Sequence, residues 1–151
     1  TVGGMGHASQ IALGIALEHG DRPVVCLDGD GAVLMHLGGV ATIGTVAPRN
    51  YRHVVLNNAA HDSVGGQPTV GFEVDLCAVA KACGYISAEC VSHDEQLPAS
   101  LATLFDGDGP RMLEVRVQKG ARKDLDRPSM TPAALKRALM THLASRNSRP
   151  E

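Results

Sequence analysis

The chain has 151 residues, a net charge of −2, 44% apolar and 20% charged residues, and 17 glycines. That is enough chain for one domain with a substantial core, too apolar for intrinsic disorder and without the strict period of collagen. The near-neutral balance implies no overall pull toward nucleic acid or an anionic membrane, and no apolar run approaches the roughly 20 residues that a bilayer span needs.

The start, Thr1-Val2-Gly3-Gly4-Met5, carries neither an initiator methionine nor a basic leader, and reads as that of a fragment, a processed chain or a trimmed one. Apolar spacing predicts a helix over Gly6–His19, stopped by Gly20. Pro23–Asp28 (PVVCLD) is a β-branched run, hydrophobic throughout, as in a strand buried on both faces. Ala32–Val46 reads as one helix, glycine-rich on one side and closed by Pro48. Arg52–Leu56 is the second strand, and Phe72–Cys83 is a helix with its stop at Gly84. Tyr85–Val91 gives a third strand. Asp94–Phe105 gives a helix with an acidic cap candidate and Pro98 in its first turn. Arg111–Val117 alternates apolar and charged residues, as a strand near a sheet edge does. Lys119–Pro128 is a polar linker, and Ser129–Ser145 a final helix with Thr131 as N-cap and Pro132 at its first position.

This βα alternation predicts an α/β fold: a doubly wound parallel sheet with helices on both faces and right-handed connections. The four cysteines (Cys26, Cys77, Cys83, Cys90) sit singly within apolar stretches, which points to buried free thiols and a reducing cytoplasm rather than a disulfide framework or zinc site. His19, His53, His93 and His142 read as surface residues, and His7 and His36 as packing or cap residues.

In doubly wound sheets, ligands bind beyond the carboxyl ends of the strands. Two polar clusters fall there: Asp28-Gly29-Asp30-Gly31 and Asn57-Asn58. Gly29 and Gly31 permit a tight turn and expose backbone N–H groups to a phosphate. A carboxylate beside a phosphate makes sense if Mg²⁺ bridges them, with Asp30, the Asn58 amide oxygen and a backbone carbonyl as oxygen ligands. Each cluster alone also suits an ordinary turn. An EF-hand is excluded, because Ala32 and Gly39 occupy ligand positions. Gly3-Gly4-Met5-Gly6 lacks the dinucleotide-binding spacing, and no lysine follows the glycines as in a nucleotide-binding P-loop.

Together the clusters are more specific. GDG, 25 residues (32–56) and then NN, with a strand before each, resembles the thiamine diphosphate signature of the pyrophosphate-binding domain in thiamine diphosphate-dependent enzymes. Gly3–Ala8 leading into a helix resembles the segment that precedes this signature and extends the likeness over most of the chain. The resemblance implies that residues 1–151 form one pyrophosphate-binding domain. It implies that Asp30, the Asn58 side chain and the Ala60 carbonyl hold Mg²⁺. Gly29, Gly31 and the Ala32 N–H would line the diphosphate, and Met35, one turn on, would pack near the thiazolium. Many relatives carry serine where this chain has Ala32, which removes one hydroxyl contact and leaves the backbone N–H.

The stretch Asn57–Thr69 (NNAAHDSVGGQPT), with GGMGHASQIALGIAL and GDGAVLMHLGGVATIG, is similar to phosphonopyruvate decarboxylases and the related sulfopyruvate decarboxylases. The implied reaction is decarboxylation of a small anionic 2-oxo acid, phosphonopyruvate before sulfopyruvate. His61 would orient substrate or relay a proton as the catalytic residue. Ser63, Gln67, Thr69 and the Gly65 and Gly66 N–H groups would be donors to phosphate or substrate. The glutamate that activates the cofactor belongs to a pyrimidine-binding domain or alpha-type subunit. The chain is therefore expected to act in a homo- or hetero-oligomer, approached along Gly38, Gly39 and Gly44, without nucleic acid or membrane. The rival expectations are a sulfopyruvate decarboxylase beta-type subunit, a non-catalytic subunit of the same fold and a nucleotide-binding module.

Overall fold

The computed structural model describes residues 4–120, 124 and 129–145. Residues 4–120 form one compact unit, and the helix near the C-terminus belongs to a second. The elements run α1 (Ala8–Glu18), β1 (Val24–Gly29), α2 (Asp30–Met35), α3 (Gly38–Val46), β2 (Tyr51–Asn57), β3 (Ala60–His61), β4 (Gln67–Pro68), α4 (Leu76–Ala82), β5 (Ser87–Val91), α5 (Leu97–Phe105), β6 (Arg111–Arg116) and α6 (Pro132–Ser145). The main sheet has the order β1-β2-β6-β5, every pair parallel, with Val24 opposite Tyr51 and Arg52 opposite Arg111. Alternation along the strands sends Cys26, Tyr51, Val55 and Met112 into a core under α1, α3 and α4. It sends Val54, Leu113 and Val91 to the opposite face, against Leu104 of α5. Helices therefore cover both faces, as expected.

Several boundaries move for identifiable reasons. The helix expected over Ala32–Val46 is two helices, broken at His36–Leu37, because Gly38-Gly39 carries the weakest propensity in the run. Asp75 caps α4 through its carboxylate (Ala78 N–H, 2.8 Å), so that helix begins at Leu76 rather than Phe72. Asp94 starts a 3-10 turn, and α5 follows with Pro98 in its first positions. At the other end, Thr131 caps α6 as expected, accepting from the Ala134 N–H at 3.3 Å. Apart from Lys119, Gly120 and Asp124, the polar linker lies outside the described residues.

Three expectations are overturned. β6 is interior, not near an edge: its charged residues sit at strand ends or, for Glu114, face a buried partner. β1 is one of the two edge strands, and only one of its faces is covered in this unit, with Val25 and Leu27 exposed on the other. Two of the three glycines assigned to a partner interface are spent inside the fold. A β-carbon on Gly44 would collide with the Cys83 carbonyl, and one on Gly39 with the Gln10 amide. Among the described residues, no helix is long and apolar enough to cross a membrane.

Candidate active site

β1 and β2 end side by side, so the two polar clusters meet at the carboxyl edge of the sheet, as parallel strand order requires. Asp30 opens α2 with its carboxylate 1% exposed. The Thr69 hydroxyl donates to its Oδ2 in a short hydrogen bond, and the Asn58 N–H approaches its Oδ1 at 3.4 Å. Two neutral donors thus fix a buried carboxylate at the turn, and carboxylate oxygen is the ligand type a hard cation takes.

The 57–71 segment is folded around this carboxylate. The Asn57 Oδ1 accepts from the Ala59 N–H at 3.1 Å, fixing Ala59 in the left-handed region (φ 53). Asn57 Nδ2 donates to the Gly71 carbonyl at 2.7 Å and to Glu114 Oε1 at 2.8 Å. Ala60 and His61 pair antiparallel with Pro68 and Gln67, which carries the chain back over the GDG turn and delivers Thr69 to Asp30. Gly71 then passes so close that a β-carbon there would lie 2.6 Å from Asn57 Oδ1 and 3.0 Å from the Asp30 β-carbon.

A cavity of about 290 Å³ opens over this turn. Asp30, Asn58 and Ala60, the three expected metal ligands, line it, together with Gly29, Gly31 and Ala32. His61 and Ser63 line it as well. Their ligand atoms would be a carboxylate, an amide oxygen and a peptide carbonyl, an all-oxygen set that suits Mg²⁺. Asn58 Oδ1 accepts from the Ala60 N–H at 3.0 Å, and its Nδ2 donates to Asp62 at 2.8 Å. Met35 is the exception. It lines a neighbouring cavity of about 770 Å³ that shares Met5, Gly29 and Ala32 with the first.

His61 lies closer to the glycine turn than the sequence implied. Its imidazole covers Gly31, where a β-carbon would stand 2.6 Å from Cε1. Two expected substrate donors are already engaged: Thr69 Oγ1 with Asp30, and the Gly66 N–H with the His61 carbonyl at 2.9 Å.

Asp62, Glu114 and His53 have roles here that were not picked out, and Asp28 was named only as part of its cluster. Asp62 holds the Asn58 amide and also accepts from the Gly120 N–H at 2.7 Å. Glu114 anchors Asn57 from the central strand. The Asp28 carboxylate lies 3.4 Å from Nε2 of His53, whose Nδ1 faces the Tyr85 hydroxyl at 3.2 Å. His53 is therefore fully buried on β2, not at the surface. Beside this group, burial and the Asp28 charge push the Cys26 thiol up to about 11, and burial likewise raises Tyr51 and Tyr85.

Residues 1–115 match a family model described as thiamine pyrophosphate enzyme, C-terminal TPP binding domain. The chain is 48% identical over 136 residues to a phosphonopyruvate decarboxylase of Streptomyces viridochromogenes, covering 90% of this chain and 34% of that protein. It is 32% identical over 139 residues to a sulfopyruvate decarboxylase subunit beta of Methanococcus maripaludis, covering 92% of this chain and 74% of that subunit. A solved thiamin diphosphate-dependent enzyme from Mycobacterium smegmatis superposes with a TM-score of 0.64 at 28% identity, over 78% of this chain and 23% of that one. The chain thus spans about a third of the length of the phosphonopyruvate decarboxylases it matches.

Proposed function

The chain belongs to the C-terminal TPP-binding domains of thiamine pyrophosphate enzymes, and from that premise we propose that residues 1–151 are the pyrophosphate-binding domain of a Mg²⁺-dependent 2-oxo acid decarboxylase. Its substrate is phosphonopyruvate, split into phosphonoacetaldehyde and CO₂. The observation that carries the reading is the buried Asp30 carboxylate on the wall of a cavity that Asn58 and Ala60 also line at the GDG turn. The 48% identity to a phosphonopyruvate decarboxylase supports the choice of substrate.

Bound thiamine diphosphate supplies the electron sink for loss of CO₂ from a 2-oxo acid. Asp30, Asn58 and the Ala60 carbonyl would hold Mg²⁺, while Gly29, Gly31 and the Ala32 N–H would face the diphosphate. Thr69 keeps the Asp30 carboxylate in place before metal arrives, so little reorganisation is needed on binding. Ser63 is a further donor on the cavity wall, and Met35 an apolar wall of the adjoining space. His61 holds or moves a proton at its imidazole, from a position fixed by Gly31. The activating glutamate comes from a pyrimidine-binding domain or alpha-type subunit, in an oligomer. The name of the relative called subunit beta supports such a partner. Free cysteines, two of them buried, support a cytoplasmic setting.

A second reading, sulfopyruvate decarboxylase beta-type subunit, is favoured by the 74% of such a subunit that the chain covers. The test combines the chain with a pyrimidine-domain partner, thiamine diphosphate and Mg²⁺, and measures CO₂ release from phosphonopyruvate, sulfopyruvate and pyruvate. Higher kcat/KM for phosphonopyruvate is the expected result, and higher kcat/KM for sulfopyruvate selects the second reading. Failure to bind cofactor at all would leave a non-catalytic subunit.

A further inference from the structure

Beside the GDG turn, one pair of side chains lines the larger cavity and is not used by the reading above. We propose that His7 and His36 form the subsite that takes the anionic phosphonate end of the substrate, an inference that rests on the decarboxylase reading above.

The two imidazoles meet edge to face, with ring centroids 4.1 Å apart and planes inclined by 62°. They come from separate elements. His7 stands at the start of α1 without capping it, its Nδ1 turned to the Met5 carbonyl at 3.2 Å. His36 stands where the expected long helix breaks before Gly38-Gly39. Gly6 permits the approach. Its φ of +82 suits glycine, and a β-carbon there would lie 2.6 Å from His36 Cδ2 and 2.8 Å from the Ala32 carbonyl. Both histidines are exposed, and both line the 770 Å³ cavity that adjoins the cavity over the GDG turn and shares Met5, Gly29 and Ala32 with it.

Charge selects this pair. The described residues lining the two cavities include Asp28, Asp30 and Asp62 and no lysine or arginine. A phosphonate brings up to two negative charges, so donors that can also carry positive charge must meet it. The only such side chains on these walls are His7, His36 and His61. His61 lies over Gly31 at the cofactor turn, and the loop donors Thr69 Oγ1 and Gly66 N–H are engaged within the protein. Imidazole donates a hydrogen bond in either protonation state, and two rings from different elements can grip two phosphonate oxygens at once.

The experiment uses the assembled, cofactor-loaded enzyme carrying His7→Leu, His36→Leu, both together, and His36→Gln, which keeps a donor. Two readings are taken: the ratio of kcat/KM for phosphonopyruvate to that for pyruvate, and calorimetric binding of phosphonoacetate, a non-reacting carrier of the same anionic group. The proposal expects the ratio to fall about ten- to a hundredfold in the double variant, the phosphonoacetate Kd to rise by a similar factor, and His36→Gln to retain part of both. An unchanged ratio together with an unchanged phosphonoacetate Kd overturns it, as do equal losses on the two substrates. A wild-type enzyme that turns over neither phosphonopyruvate nor sulfopyruvate overturns the decarboxylase reading instead, and the phosphonoacetate affinities alone then decide the subsite.

Discussion

The imidazole of His61 rests on the backbone of Gly31, with ring and glycine so close that any side chain at position 31 would displace the histidine. The need for glycine at the last position of the GDG turn is therefore set by a neighbouring side chain. Gly31→Ala should push His61 off the turn and weaken thiamine diphosphate binding by about tenfold or more. His61→Ala in the same chain should return part of the loss, because the clash is gone. Calorimetric titration of the single and double variants gives the coupling. Additive losses would mean that the two residues act independently.

Thr69 and Asp30 form the second coupled pair. The Thr69 hydroxyl donates to Asp30 Oδ2 and accepts from the Gly71 N–H at 3.1 Å, so it fixes the carboxylate relative to the returning loop. Thr69→Val removes the donor at nearly constant volume and should weaken Mg²⁺-dependent cofactor retention by about ten- to a hundredfold, on the scale of one hydrogen bond to a charged group. Thr69→Ser should stay near wild type. Asp30→Ala should abolish retention and leave the far-UV circular dichroism spectrum unchanged. Retention of cofactor by Asp30→Ala would remove the metal assignment.

The order of strands and helices was legible because local chemistry marks it. Glycines end α1 and α4, Thr131 and Pro132 start α6, and GDG and NN sit where strands stop. Contacts between distant segments were not legible. Glu114 looks solvent-facing in an alternating strand, and only the sheet order, which sets β6 beside β2, brings its carboxylate to the Asn57 side chain two residues along from its register partner Val55. His53 lies in a run that gives no hint of the Asp28 group brought to it from β1 and the Tyr85 group from the segment before β5. Of the site, the meeting of the Asp30 and Asn58 clusters could be read from their places at strand ends. The roles of Thr69, Asp62 and Gly71 depend on the short β3–β4 pairing, which two-residue strands do not announce.

The buried thiols give a pH prediction. Burial first, then the Asp28 charge, pushes Cys26 up to about 11, and burial first, then Glu114, pushes Cys77 up to about 12. Both lie above the ordinary value of 9.0, so the folded state favours the neutral thiol. Their contribution to stability is whole below about pH 9 and is lost as pH rises toward 11–12, where the folded thiols ionise. Urea unfolding at a series of pH values should show the midpoint falling across that window. At pH 8, a thiol reagent should modify exposed Cys90 first and reach Cys26 and Cys77 only on unfolding.

Glu114 tests whether the sheet interior supports the site. Its carboxylate is 3% exposed and accepts from Asn57 Nδ2 at 2.8 Å, with the Cys77 thiol at 3.7 Å on its other oxygen. Asn57 in turn holds the Gly71 carbonyl and the Ala59 N–H, the two ends of the loop that carries the presumed metal ligands Asn58 and Ala60. Glu114→Ala leaves a buried amide donor short of an acceptor and should cost about 1–3 kcal/mol in chemical denaturation. It should also weaken cofactor binding, because a looser Asn57 frees both Gly71 and Ala59. Glu114→Gln still offers Asn57 a carbonyl oxygen and should cost less on both measurements. Loss of stability in Glu114→Ala with cofactor affinity untouched would confine Glu114 to the core. Loss of both, with both restored toward wild type in Glu114→Gln, would show that the hydrogen bond to Asn57 carries the support from the central strand to the loop.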